Sequence, residues 1–192
     1  LSTPGMYTAQ YSLGADTQTV NFEIRMDPRL TTSTVDLQAQ FDLHQKINTK
    51  LSDVHKAIKR LREVRSSINA TSTRWKDLDT TLTKNATTLS KKITDSLTTI
   101  ENTLVQTKAK AFQDLLNYPV KLNNKIASLS SVASSADRRP TQQTYDLFEI
   151  LSKDADVQLS ALKAIEDTLI AELNIAVKAL DLPAIPKPTQ KK

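Results

Sequence analysis

Residues 47–68 read INTKLSDVHKAIKRLREVRSSI, and this stretch decides the fold. Its apolar residues recur in steps of four and three, which is the spacing of one face of an α-helix. They are Ile47, Leu51, Val54, Ile58, Leu61, Val64 and Ile68. Such a seam is typical of a long amphipathic helix that packs against other helices. Glycine occurs only 2 times in 192 residues, so helix is favoured through most of the chain.

The same periodicity returns further along the chain. The first helix is predicted to start at Ser33 or Thr34 and to end near Asn69, before a polar break at 69–73. A second helix of similar length follows, then a short one from Pro119. A last long helix runs from Pro140 to the region of Leu182 and Pro183. The apolar positions of these three helices are Trp75, Leu78, Leu82, Ala86, Leu89, Ile93, Leu97, Ile100 and Leu104, then Leu122, Ile126, Leu129 and Val132, then Leu147, Leu151, Leu162, Ile165, Leu169, Leu173 and Leu180.

The predicted fold is mainly α: an antiparallel bundle of three long helices and one short helix, with an N-terminal β-hairpin. The breaks at 69–73, 117–119 and 134–140 favour chain reversal, and hence an intramolecular bundle. A parallel dimeric coiled coil is the alternative. Because the seams would then be used within one chain, we expect a monomer.

The N-terminal part differs from the rest. Residues 6–13 are β-prone, residues 14–18 are turn-like, and residues 19–26 alternate strictly. Val20, Phe22, Ile24 and Met26 would share one face, which must cover something because an isolated hairpin is marginal in water. We therefore expect this face to pack on the helices or on another chain. The predicted division is a hairpin at 1–29, a bundle at 30–182 and a flexible tail at 183–192.

The composition excludes several classes of chemistry. There is no cysteine, and glycine occurs only at Gly5 and Gly14, so thiolate sites and glycine-rich phosphate loops are absent. The two histidines, His44 and His55, would lie roughly 16 Å apart along one helix, too far to share a metal. The sequence therefore predicts no catalytic residue, no metal site and no cofactor.

The charges do not indicate nucleic acid as a partner. The net charge is +5, and basic residues cluster between Lys56 and Arg65, but acidic residues interrupt them. A binding stripe for phosphates would be denser, one-sided and accompanied by stacking aromatics. No stretch approaches the ~20 apolar residues of a transmembrane helix. Residues 1–5 have neither the basic start nor the apolar core of a signal peptide, so the sequence is expected to be part of a longer chain.

One polar cluster lies at residues 117–125, NYPVKLNNK. Asparagine and tyrosine near a helix start can cap free N–H groups and hold a tight turn. We predict a structural turn and cap here rather than a ligand site. The residues assigned to it are Asn117, Tyr118, Pro119, Asn123 and Asn124.

Several of these segments together resemble a known family. Residues 4–9 (PGMYTA) are similar to the penultimate strand of an Ig-like domain, so the resemblance implies that the hairpin at 1–29 is the remnant of such a domain. The helical segments follow in the family's order and spacing. The chain resembles the C-terminal region of bacterial exported proteins with sortilin-like or BNR-repeat β-propellers, often labelled glycosyl hydrolases. Leu115 departs from the family's pattern, in which proline stands at this position. The helical segments that carry the resemblance are 26–29 (MDPR), 36–43 (DLQAQFDL), 117–126 (NYPVKLNNKI), 139–141 (RPT) and 182–185 (LPAI).

The resemblance implies a non-catalytic C-terminal helical module with a structural or docking role. Its partners would be the preceding Ig-like and propeller domains, and its location would be exported: periplasmic, cell-surface or secreted. Any catalysis would belong to the propeller, whose Ser-x-Asp-x-Gly motif does not occur here. The alternative function is a free-standing helical interaction protein that oligomerises through its seams.

Overall fold

A computed structural model describes residues 2–76 and 78–182, except for the side chains of Phe112 and Leu115. It confirms the predicted class: the protein is mainly α, with three long helices, one short helix and an N-terminal antiparallel hairpin. The last long helix contains a π-helical turn, Ile165–Leu169, which separates its two α-helical parts. The strands and helices are β1 (Gly5–Leu13), β2 (Asp16–Ile24), α1 (Thr34–Ser72), α2 (Thr80–Leu104), α3 (Leu122–Ala133), α4 (Gln142–Ala164) and α5 (Ile170–Lys178).

The chain groups into two compact units. Unit 1 contains residues 1–52 and 125–152, and unit 2 contains residues 53–124 and 153–192. The helices α1 and α4 each contribute one part to each unit, and α3 lies in unit 1 except for its first three residues. The division predicted at residues 29 and 182 stays a prediction.

Unit 1 combines the hairpin with the first part of α1, with α3 and with the start of α4. Gln40 is buried, and its amide donates hydrogen bonds to the carbonyls of Ala133 and Ala136 at 2.7 and 2.8 Å. The first bond satisfies a carbonyl of the last turn of α3, which a helix leaves without an intrahelical partner, and the second holds the loop that follows. The buried apolar residues of this unit include Leu43, Ile47, Ile126, Leu129 and Leu151.

Unit 2 is built on the remainder of α1, on α2, and on the last helix. Arg62 and Arg65 of α1 both bind Glu101, near the end of α2. α2 also packs against α5 and the π turn. The buried apolar residues here include Val54, Leu61, Ile68, Trp75, Ile93, Leu97, Ile100, Leu104, Leu162 and Leu173.

The predicted end of the first helix was early. α1 continues through the polar run at 69–72, because polarity alone does not break a helix when glycine and proline are absent. The hydroxyls of Thr71, Ser72 and Thr73 donate to carbonyls three or four residues earlier in the helix. α1 is followed instead by a short 3₁₀ turn, Thr73–Trp75.

The second helix is shorter than predicted, with 25 residues against 39 in α1. It begins at Thr80, where Asp79 accepts a capping hydrogen bond from the amide of Thr81 at 2.6 Å. Leu78 therefore lies outside the helix and is exposed, as is Leu82 in its first turn. Leu89 is half-buried rather than central to the seam.

In α3 and α4, three positions also differ from the prediction. α3 begins at Leu122 rather than Pro119, and the Pro119 carbonyl, outside the helix, accepts a hydrogen bond from the side chain of Gln106. Val132 is exposed, and so is Leu147. The buried positions of α4 include Thr144, Leu151, Ala155 and Leu162, so the inward stripe uses small residues that a search for leucines overlooks. The predicted tail at 183–192 lies outside the described residues.

Candidate functional site

The hairpin presents the most exposed apolar surface of unit 1. Its strands pair over nine residues each without a bulge, and Gly14, with φ at +60°, closes a two-residue turn with Ala15. The turn is shorter than the predicted 14–18, because β2 begins at Asp16. β2 also ends earlier than predicted, at Ile24, so Met26 lies beyond the strand. The register places Tyr7 opposite Phe22, and their rings stack with centroids 6.0 Å apart.

One face of the hairpin is mostly apolar, and its polar residues, Asp16 and Gln18, lie near the turn. We define the hairpin face by the apolar residues that the register places on it: Tyr7, Ala9, Tyr11, Leu13, Val20, Phe22 and Ile24. Only its base has helical cover, where Ile24 and Met26 line a small cleft with Leu30 and Leu37. Towards the turn, Leu13 is 67% exposed and Val20 is 63% exposed. Among residues 2–76 and 78–182, the predicted cover by the helices is therefore absent from most of this face.

A second surface is a groove of about 660 Å³ in unit 2. We call it the α1–α5 groove. Lys56, Lys59 and Arg60 lie towards one end of its α1 wall, and Val64 and Ile68 follow along the same helix. Trp75 and residues of α5 complete the apolar lining. This groove was not predicted from the sequence, because its two walls come from distant parts of the chain. The sequence feature that could have indicated it is a basic cluster followed by apolar residues on one helix.

Most charges of the predicted basic cluster are neutralised by neighbours. Glu101 is 5% exposed, and its two carboxylate oxygens accept hydrogen bonds from Arg62 and Arg65, both at 2.6 Å. Burial raises the pKa of Glu101, but the hydrogen bonds and charges of the two arginines lower it by more. The pKa of this carboxyl group is therefore below its usual value. Arg60 pairs with Glu166 of the π turn. These contacts make the cluster chiefly a set of interhelical ion pairs.

The segment 117–125 connects a short 3₁₀ turn to the first turn of α3, and its predicted role as a structural turn stays a prediction. The amides of Asn117 and Tyr118 both donate to the carbonyl of Asp114 at 3.0 Å, at the end of a 3₁₀ turn at 112–116. The carboxylate of Asp114 accepts from the amides of Lys110 and Ala111, which lowers its pKa. The sequence analysis did not predict this 3₁₀ turn.

The sequence also predicts that asparagines of this segment cap the start of a helix. Asn123 and Asn124 lie in the first turn of α3. Asn123 Oδ1 is buried and has no hydrogen-bond partner, so no cap through this atom is observed. The cap role of Asn124 and the predicted role of Pro119 stay predictions.

The described residues hold no cluster of three or more metal-ligating side chains. His44 is half-buried, and burial lowers its pKa; His55 is exposed. Within the same residues, none of the helices combines the length and the hydropathy that crossing a membrane requires.

Comparisons of the chain with protein-family models, with curated proteins and with solved structures found no match. The sequence resemblance described above therefore has no support from these comparisons.

Proposed function

We propose that this chain is a non-catalytic structural or docking module of a larger exported β-propeller protein. In this proposal the hairpin face seats against a β-sheet of a neighbouring Ig-like domain. The observation that carries the proposal is the exposed apolar face of a hairpin that has only two strands. Two strands with one apolar face need a third strand or a second layer for independent stability.

The edge of the hairpin supports a β-sheet as the partner. β1 reads GMYTAQYSL, without a charge or a proline, and its pairing has no bulge. Natural edge strands usually carry such features, because an unprotected edge pairs with other strands. An added strand would protect the edge of β1, and a second sheet would cover the hairpin face.

The alternative, a free-standing protein that oligomerises through its seams, has less support. Ile47, Leu61, Ile93 and Leu97 are fully buried within one chain. These covered positions have no apolar surface to offer to another copy, and only isolated seam residues such as Leu82 and Leu147 stay exposed. The buried seams thus favour a monomeric helical body, with the hairpin as the contact region.

The test starts from the coding sequence that precedes the codon for Leu1. The proposal expects an Ig-like domain there, preceded by propeller repeats; unrelated sequence or a stop codon would contradict it. The longer chain is then produced, and hydrogen exchange of residues 5–24 is compared with that of the 192-residue chain. We expect slower exchange in the longer chain.

A pair of variants identifies the surface responsible. In the longer chain, Phe22→Ser on the hairpin face should restore fast exchange of residues 5–24. Thr19→Ser, on the opposite face of the same strand, should leave the protection intact. Equal exchange of the hairpin in the short and long chains would exclude the proposed docking.

A further inference from the structure

We infer that the α1–α5 groove binds a single-chain anionic amphiphile, such as a long-chain fatty acid. This inference is independent of the proposed docking role, because the groove lies in unit 2 and shares no residue with the hairpin. The groove volume of about 660 Å³ falls in the range of small-molecule sites, roughly 300–1,000 Å³.

The apolar part of the groove suits an acyl chain. Val64 and Ile68 of α1 line it together with Leu173 and Val177 of α5, and Trp75 lies among them. Trp75 and Leu173 are otherwise almost fully buried, at 3% and 5% exposed, so a ligand in the groove would lie directly on the core of unit 2. Removing an acyl chain from water onto such a surface is favourable in proportion to the apolar area that is covered.

The cationic end suits an anionic head group. Lys56 lines the groove and makes no ion pair among the described residues. Lys59 is 3.9 Å from Glu63, and both side chains are largely exposed, so this pair is weak and its ammonium group can turn to a ligand. The charge of Arg60 is largely offset by Glu166, so the head group is assigned to Lys56 and Lys59.

The charged side chains lie at one end of the groove, and the part that follows is uncharged and largely apolar, with Ser67, Thr71 and Asn174 among its lining. This arrangement favours a linear amphiphile. Lys56, Lys59 and Arg60 precede Val64 and Ile68 on one helix, and Trp75 comes last. From residue 56 to residue 72 the helix rises roughly 24 Å at ~1.5 Å per residue. A compact anion would use only the first part of this length, whereas a chain with a terminal carboxylate uses both parts.

The π turn adds an independent indication of function at this place. It carries Glu166, which binds Arg60, and it is followed directly by Ile170, which lines the groove. Single π-helical turns inside α-helices occur frequently at functional sites. Here the turn connects the cationic end of the groove with its α5 wall.

Binding can be followed through Trp75, which is the single tryptophan of the chain. Laurate is titrated into the 192-residue protein below its micellar concentration, with calorimetry as a second measurement. We expect a saturable change in Trp75 emission and one laurate per chain. Acetate, which has only the head group, and dodecyltrimethylammonium, which has the same chain and the opposite charge, should bind more weakly.

Matched variants locate the head group and the chain. The double variant Lys56→Gln and Lys59→Gln should weaken laurate about 3- to 10-fold, as expected for the loss of nearby charges in partly exposed positions. Lys84→Gln, an exposed lysine of α2 outside the groove, should have no effect. Ser67→Phe fills the groove and should abolish binding, whereas Ser66→Phe, beside it and outside the groove, should not.

Three results would overturn the inference: no saturable binding of laurate, equal affinity for dodecyltrimethylammonium, or unchanged binding by Ser67→Phe. Loss of binding in Ser67→Phe together with unchanged binding in the double lysine variant would also overturn it, since the carboxylate would then lie elsewhere. Circular dichroism of each variant verifies that the helices are intact.

Discussion

The hairpin and the helices use the same kinds of apolar residue with opposite results. In the helices, Leu61 and Ile93 are fully buried. In the hairpin, Leu13 and Val20 are each more than 60% exposed, and Phe22 is 43% exposed. The difference does not come from the residues, since both regions have one clearly apolar face. It comes from the number of layers: each helical seam meets other helices, and most of the hairpin face meets nothing in the described structure.

This contrast separates what stabilises the chain from what is available to a partner. Burial of apolar area is the dominant favourable contribution to folding. The helices therefore carry the stability of the 192-residue chain, and the hairpin contributes little to it. The same reasoning makes the hairpin the region whose behaviour should change most when a partner is present.

The largest expected effect is in the helical core. Leu61→Ala removes a fully buried side chain and should lower the free energy of unfolding by ~2–5 kcal/mol. Leu13→Ala in the hairpin should change it by less than ~0.5 kcal/mol, because this leucine is already exposed. Urea unfolding followed by circular dichroism measures both values.

Leu82→Ala is the matched control within the helices. Leu82 is 70% exposed in α2, so this variant should resemble Leu13→Ala rather than Leu61→Ala. Leu89→Ala should fall between the two, since Leu89 is half-buried. If Leu61→Ala left the stability unchanged but abolished a dimer, the seam would face another chain and the comparison would fail.

A smaller effect is expected at the buried ion pairs of unit 2. Glu101→Gln leaves the two arginines without their carboxylate. This change should lower the free energy of unfolding by about 1–3 kcal/mol at neutral pH. Glu63→Gln is the matched control, because Glu63 is 65% exposed and only weakly paired. That control should change the stability by less than ~0.5 kcal/mol.

The pKa of Glu101 makes this effect depend on pH. Since its folded-state pKa lies below the ordinary value of 4.5, its stabilisation is complete above that pH. It is lost as the pH falls through the lowered pKa. The difference in unfolding free energy between wild type and Glu101→Gln should therefore shrink in acid. A difference that stays constant between neutral pH and the acid range would show that the carboxylate charge contributes nothing.

The smallest effects concern the helix starts. Asp79→Ala removes the observed cap of α2 and should cost ~0.5–2 kcal/mol. Asn123→Ala removes a buried oxygen that makes no hydrogen bond, so its cost should be below that of Asp79→Ala. Thermal unfolding of the two variants in parallel decides the matter. A larger cost at Asn123 would restore the structural cap that the sequence predicts there.

Periodicity predicted the elements well and their ends poorly. The seam of α1 was predicted because seven apolar positions leave little choice of face. The end of α1 was not predicted correctly, because the run at 69–72 is polar but contains no residue that breaks a helix. The inward stripe of α4 was only partly found, since Thr144 and Ala155 are small residues at core positions.

The two candidate surfaces differ in how far the sequence predicts them. The apolar face of β2 follows from strict alternation, and only the pairing register adds Tyr7, Tyr11 and Leu13 to it. The α1–α5 groove has no local signature, because α1 and α5 are separated by about half of the chain. Its formation depends on how the last helix packs, which periodicity does not specify.

Hydrogen exchange of the 192-residue chain alone tests the central contrast most directly. We predict that amides of residues 5–24 exchange much faster than those at the centre of α1, such as Val54 and Leu61, because a two-stranded hairpin with an uncovered face is marginally stable. Protection of the hairpin equal to that of α1 would contradict the account: the hairpin would then be stable without a partner, and its exposed face would give no reason to propose one.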